Sequence, residues 1–268
     1  IYFAGILNLG VAGIALGTVI AEWITVCFAF LLIVMELKKR KTPEEAFWSR
    51  SGILDRQKLL RTVSANADIM IRTLLLVFSF AFFTNQSARF GDVVLAANHI
   101  LLQFVTFAAF FLDAYAFVVE ALVGSAIGAK RQDLFDVAVK KSTILAAITA
   151  LFLAAAVWIL GGMLINLLTD LEDVRGRASG MLYLAAIYIF FSFAAFQLDG
   201  IFIGASSTKQ MRNAAVLSLS VYLIAWWLLI DRFGVTGLWW AMIIYVAARA
   251  DALLIYYPKL RASVGIES

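Results

Sequence analysis

Apolar residues gather in seven runs long enough to cross a bilayer, at 11–35, 69–88, 93–127, 143–168, 180–205, 214–230 and 235–257. A membrane helix needs about 20 mainly apolar residues, and each run is apolar on most faces, which suits lipid-embedded rather than surface-lying helices. Residues 1–9 read as the tail of one more helix. The run at 93–127 exceeds one bilayer thickness and is expected to tilt or to project into water.

Composition narrows the class. The chain has 268 residues, 63% of them hydrophobic and only 15% charged, whereas soluble domains average about 45–50% apolar and about 25% charged. The expected fold class is therefore an all-α integral membrane bundle. A net charge of +4, concentrated at the ends of the apolar runs, gives no motive for nucleic-acid binding. With one cysteine (Cys27) and one histidine (His99), no thiolate or His-rich metal set can be assembled. No nucleophile–base pair or phosphate-binding loop stands in the text, so neither an enzyme nor a cofactor is expected.

Lys and Arg set the expected orientation. The stretch 37–61 carries Lys38, Lys39, Arg40, Lys41, Arg50, Arg56, Lys58 and Arg61. Lys130, Arg131, Lys140, Lys141, Lys209, Arg212, Lys259 and Arg261 fall on the same side, for sixteen in all. The opposite side holds four, Arg89, Arg175, Arg177 and Arg232, and Arg72 and Arg249 lie within helices. By the positive-inside rule the richer side is cytoplasmic, with the C-terminus on it. The mixed-charge segment 37–63, interrupted by Pro43, reads as a linker between two bundles.

A short repeat extends this view. Gly10-Val11-Ala12-Gly13 and Gly234-Val235-Thr236-Gly237 each open a helix running in the same direction, an offset of 224 residues. Parallel repeats, each closing with such a helix, would place roughly 160 residues, or about five helices, ahead of Ile1. Ile1 itself opens in mid-hydrophobic text without a signal-peptide head, so an N-terminally truncated chain is expected. The expected organisation is 1–36 as the end of an N-terminal lobe, 37–63 as linker, 64–258 as a six-helix lobe and 259–268 as a tail.

Acidic side chains within apolar runs cost roughly 2.5–3.5 kcal/mol each when they face lipid, so Glu22, Asp113, Glu120 and Asp199 should face inward. On the 93–127 helix, His99, Gln103, Thr106, Asp113 and Glu120 follow one another by four, three, seven and seven residues. Such steps keep one helical face, and Phe110 and Phe117 fall between them. Carboxylates with aromatic faces suit an amphipathic, cationic solute. A polar seam joining helices is the competing account. Tyr188, Ser192 and Asp199 step by four and seven on the 180–205 helix in the same way. Asp68 and Arg72, one turn apart, are expected to neutralise each other, and Arg249 is expected near an interface or paired with another helix. Glu22 and His99 are secondary candidates.

The stretch from Gly91 to Ile100, with Leu112-Asp113-Ala114-Tyr115-Ala116-Phe117, Glu120-Ala121-Leu122-Val123-Gly124 and Leu198-Asp199-Gly200-Ile201-Phe202-Ile203-Gly204-Ala205, resembles the multidrug and toxic compound extrusion (MATE) family. More narrowly it resembles the branch named for DNA-damage-inducible protein F. The resemblance implies a transporter bundle of two lobes around a central cavity, with most of the N-terminal lobe outside this chain. It implies a monomer in a bacterial inner membrane that exports organic cations and drugs in exchange for protons or sodium. It aligns Asp199 with the tenth-helix aspartate of sodium-linked relatives, whose seventh-helix glutamate falls here at Leu76. A lipid-linked-precursor flippase of the same superfamily is the alternative, and a seven-helix receptor a remote one.

Overall fold

The computed structural model describes residues 10–39 and 55–265, and all of their regular structure is helical. The helices are α1 (Gly10–Lys39), α2 (Arg56–Ala88), α3 (Asp92–Gly128), α4 (Gln132–Leu168), α5 (Glu172–Gly204) and α6 (Thr208–Ser263). All six are long and apolar enough to cross a membrane. Residues 1–9 and most of the expected linker lie outside the described residues. Residues 56–63, at the end of that expected linker, are helical.

The chain divides into two compact units, 1–59 and 60–268. In the first, α1 is mainly apolar from Val11 to Met35 and exposes nearly every side chain of that span. Thr18 and Thr25 turn their hydroxyls back onto the carbonyls of Ile14 and Ala21, at 3.2 and 2.8 Å. This satisfies both hydroxyls without an outside partner. Glu22 is exposed on this helix.

In the second unit α5 is the most buried helix, packed on α3, α4 and α6. The α3–α5 crossing is made by small residues. A Cβ on Gly200 would stand 2.3 Å from the carbonyl oxygen of Ala116, and one on Gly204 would stand 2.4 Å from that of Glu120. The two backbones therefore touch, as small-xxx-small spacing permits in membranes. That contact sets α5 directly against the part of α3 that carries Asp113 and Glu120.

Two of the loops repeat one solution. The amides of Arg131 and Lys130 bond to the carbonyls of Ala126 and Ile127, and those of Ser207 and Ser206 to Phe202 and Ile203. These are Schellman closures, with Lys130 and Ser206 at positive φ in the usual glycine position.

The last element is two limbs rather than one rod. Gly234 breaks the helical dihedrals of α6, with φ 55° and ψ −130°. Tyr222 and Tyr245 would lie about 34 Å apart along a straight helix, yet their rings are 5.3 Å apart. The limbs 208–233 and 235–263 thus run antiparallel and supply the sixth and seventh of the apolar runs read from sequence.

Buried polar contacts tie the distant segments together. Trp239 Nε1 donates to Asn98 Oδ1 at 2.9 Å, Asn98 Nδ2 donates to Ser87 Oγ at 2.8 Å, and Ser87 Oγ donates to Phe83 O at 2.8 Å. This chain joins the end of α2, the start of α3 and the second limb of α6. At the other end of α2, Asp68 is buried and accepts from Arg212 Nη1 at 2.5 Å and from Thr208 Oγ1 at 3.2 Å.

That contact corrects one expectation. Asp68 and Arg72 do not pair. Asp68 turns to α6, while Arg72 reaches across to Asp199 on α5. An intrahelical pair of this spacing contributes only about 0.3–0.5 kcal/mol, far less than the cost of leaving a buried carboxylate without a counter-charge.

Candidate functional site

A cavity of about 430 Å³ opens inside the second unit, walled by α2, α3, α5 and the second limb of α6. Helix α3 contributes Thr106, Asp113, Phe117 and Glu120, and α5 contributes Tyr188, Ser192, Phe196 and Asp199. From α2 come Arg72 and Phe80, and from α6 comes Arg249. Its size lies within the range of small-molecule sites, about 300–1,000 Å³.

The helical period explains why these side chains meet. Thr106, Asp113 and Glu120 recur every seventh residue, so each stands about 20° round the helix from the last and all three face the cavity. Tyr188, Ser192 and Asp199 do the same on α5. Ser192 donates to Ile189 O at 2.7 Å and Thr106 to Leu102 O at 2.9 Å, so each hydroxyl hydrogen is held within its own helix.

The charges are unevenly satisfied. Arg249 Nη2 donates to Asp199 Oδ2 at 2.5 Å, and Arg72 Nη2 donates to the same oxygen. The side chains of this triad are 17% (Arg72), 11% (Arg249) and 11% (Asp199) exposed. The Arg249 guanidinium also lies over the Tyr245 ring, 5.9 Å from its centre. Among the described residues, neither Asp113 nor Glu120 has a hydrogen-bond or ion-pair partner. One face of the cavity thus carries two bases on one acid, and another carries two free acids.

Other sequence candidates lie elsewhere. His99 and Gln103 are exposed and meet each other, with their Nε2 atoms 3.4 Å apart. His99 borders a narrow crevice with Phe83, Ser87 and Asn98. Phe110 is 70% exposed on the outer face of α3. Glu22 belongs to the other unit. Among the described residues no three His, Cys, Asp or Glu side chains cluster as a metal site requires.

Sequence reasoning expected Arg72 to pair with Asp68 and Arg249 to lie near an interface or to pair with another helix; the structure places both in the cavity wall, each paired with Asp199 of α5. The signal was present: an arginine inside an apolar run is as costly as an aspartate and demands a partner of opposite charge. Asp68 is the nearest acid by spacing, but it is taken by Arg212.

A multi-pass helical membrane protein with a charged internal cavity is the class defined by these features. The MatE family model matches residues 69–228, more than half of the chain, and the chain belongs to that family. It is 33% identical over 257 residues to DNA damage-inducible protein F of Escherichia coli (strain K12), covering 92% of this chain and 53% of that protein. It is similar in fold to the Vibrio cholerae MATE transporter VcmN in its bent form, with TM-score 0.80 and 20% identity over 98% of this chain and 58% of that one. A MOP superfamily transporter from Pyrococcus furiosus aligns with TM-score 0.81 and 15% identity, covering 98% and 59% of the respective chains. The chain spans about half the length of the curated relative it matches.

Proposed function

We propose that the protein is a secondary antiporter that exports organic cations and amphipathic drugs in exchange for protons or sodium. The observation that carries this reading is the pair of cavity acids, Asp113 and Glu120, which among the described residues make no hydrogen bond or ion pair and stand beside Phe117. Carboxylates held without a partner in a low-dielectric wall attract a cation, and an adjacent aromatic face adds to that attraction. Protonation of Asp113 would remove the attraction, so solute and proton would compete for one group. Competition of that kind, coupled to rocking of two lobes, is sufficient for exchange.

The test uses the protein expressed from its complete reading frame, in inverted membrane vesicles. A proton gradient and then a sodium gradient are imposed while uptake of a fluorescent organic cation is followed. Gradient-driven uptake that is lost in Asp113→Asn is the expected result. If neither gradient moves any cation, the antiporter reading fails.

A second reading, a flippase for lipid-linked precursors, draws on Arg72 and Arg249 in the same wall, because paired guanidiniums suit a pyrophosphate. The three carboxylates around them weigh against so strongly anionic a cargo.

A further inference from the structure

Helices α3 and α4 leave a groove of about 390 Å³ along their common flank, apart from the cavity described above. Ala126 of α3 is buried there and Ala138 of α4 half-buried, while Val118 and Leu122 on α3 and Val137 and Leu145 on α4 stand exposed beside them. Two methyl groups between longer apolar side chains make a depression. Thr149 Oγ1 donates to Tyr115 OH at 2.9 Å and ties the two helices together beside it.

One charge borders this groove. Lys141 lines it, is exposed, and makes no hydrogen bond or ion pair among the described residues. No acid lines the groove. The acids on the neighbouring turns of α4 are committed to other bases, Asp133 to Arg131 at 2.5 Å and Asp136 to Arg261 at 2.6 Å. Glu120 lies on the cavity side of α3. The exposed hydroxyl of Ser125 adds a second donor to the lining.

Lys141 stands two residues before the apolar run 143–168, the level at which a lysine carries its ammonium to the headgroups of a bilayer. Acyl chains cover the apolar flank of any membrane helix. A depression beside an unpaired ammonium at headgroup level asks for more, an acyl chain with a negative charge at its end. Phosphatidylcholine and phosphatidylethanolamine bring a cation of their own next to the phosphate, which opposes Lys141. A phospholipid of net negative charge does not.

We infer that this groove binds one anionic phospholipid of the phosphatidylglycerol type, its phosphate held by Lys141 and Ser125 and an acyl chain laid over Ala126 and Ala138. The inference goes beyond the transport reading and stands without it, because the groove and the cavity share no lining residue.

The test uses the protein expressed from its complete reading frame, purified in a neutral detergent. It is titrated with phosphatidylglycerol or phosphatidylcholine of identical acyl chains, and bound lipid is counted by native mass spectrometry. The wild type should prefer phosphatidylglycerol by about five-fold, the contribution of one lysine at an anionic lipid surface. Lys141→Gln, a change at an exposed position, should bring that ratio near unity. Lys140→Gln, which removes the adjacent charge from outside the groove, should leave it unchanged. Ala138→Phe fills the depression and should weaken the binding of both lipids. Glycerophosphoglycerol, the same headgroup without acyl chains, should not displace the bound lipid. Equal affinity of the wild type for the two lipids overturns the inference, as does a preference that survives Lys141→Gln or is lost as fully in Lys140→Gln. Displacement by the chain-free headgroup, or unaltered binding in folded Ala138→Phe, overturns it too, since the groove would then have no part in holding the lipid.

Discussion

Replacing Asp199 by asparagine removes the one anion that two arginines share while keeping the shape of the side chain. Deleting one partner of a buried ion pair costs about 3–5 kcal/mol, because the remaining charge stays desolvated. Here two guanidiniums lose their partner, but at 17% and 11% exposure both reach the cavity, and screening there argues for the low end, about 3 kcal/mol. The arginine deletions should behave differently. In Arg72→Gln the carboxylate keeps Arg249, and the cluster becomes neutral, so the expected loss is about 1 kcal/mol or less. Arg249→Gln should fall between, since it also gives up the Tyr245 face, an interaction of about 0.5–2 kcal/mol. Thermal unfolding of the purified protein in one detergent, followed by tryptophan fluorescence, reads the order directly. At about 2–4 °C per kcal/mol for a chain of this size, Asp199→Asn should lower Tm by about 6–12 °C. An Asp199→Asn protein as stable as the wild type would refute the shared-anion account, and so would an Arg72→Gln protein equally destabilised.

Two structural predictions accompany this one. Gly200→Ala and Gly204→Ala drive a methyl group into backbone carbonyls of α3, which cannot swing aside as a side chain can. Each should cost about 1–3 kcal/mol in the same unfolding assay, whereas Gly162→Ala, with nothing within 4 Å of its Cβ, should be neutral or stabilising. Trp239→Phe keeps the ring against Phe83 but withdraws the donor from Asn98 Oδ1. The stranded buried carbonyl should cost about 1–3 kcal/mol, and a Trp239→Phe protein with unchanged Tm would remove that network from the list of supports.

The legible part of the site followed from local geometry. Three of the five polar positions aligned on α3, Thr106, Asp113 and Glu120, reach the cavity with Phe117, as do Tyr188, Ser192 and Asp199 on α5. His99 and Gln103 share the α3 face but stand too near its start, His99 beside the end of α2 and Gln103 exposed and in contact with His99. Periodicity specifies direction around a helix, and the depth at which neighbouring helices leave a gap is outside its reach.

Charge pairing was the illegible part. Asp68 had a base one turn away, yet it binds Arg212, 144 positions along the chain. Arg72 binds Asp199 across 127 positions, and Trp239 binds Asn98 across 141. The return of α6 at Gly234 was legible in the separate runs 214–230 and 235–257, but that it brings Arg249 onto Asp199 was not.

From sequence alone came the membrane class, the number and limits of the apolar runs and the faces on which polar groups align. A bilayer imposes length and apolarity on each helix separately, and the helical repeat is a property of the backbone. The partners of those polar groups were decided by the fold. In a low-dielectric interior a buried charge is stabilised by whichever opposite charge packing brings within reach, and packing is set by the glycine crossing of α3 and α5 and by the bend at Gly234, not by spacing along any one helix.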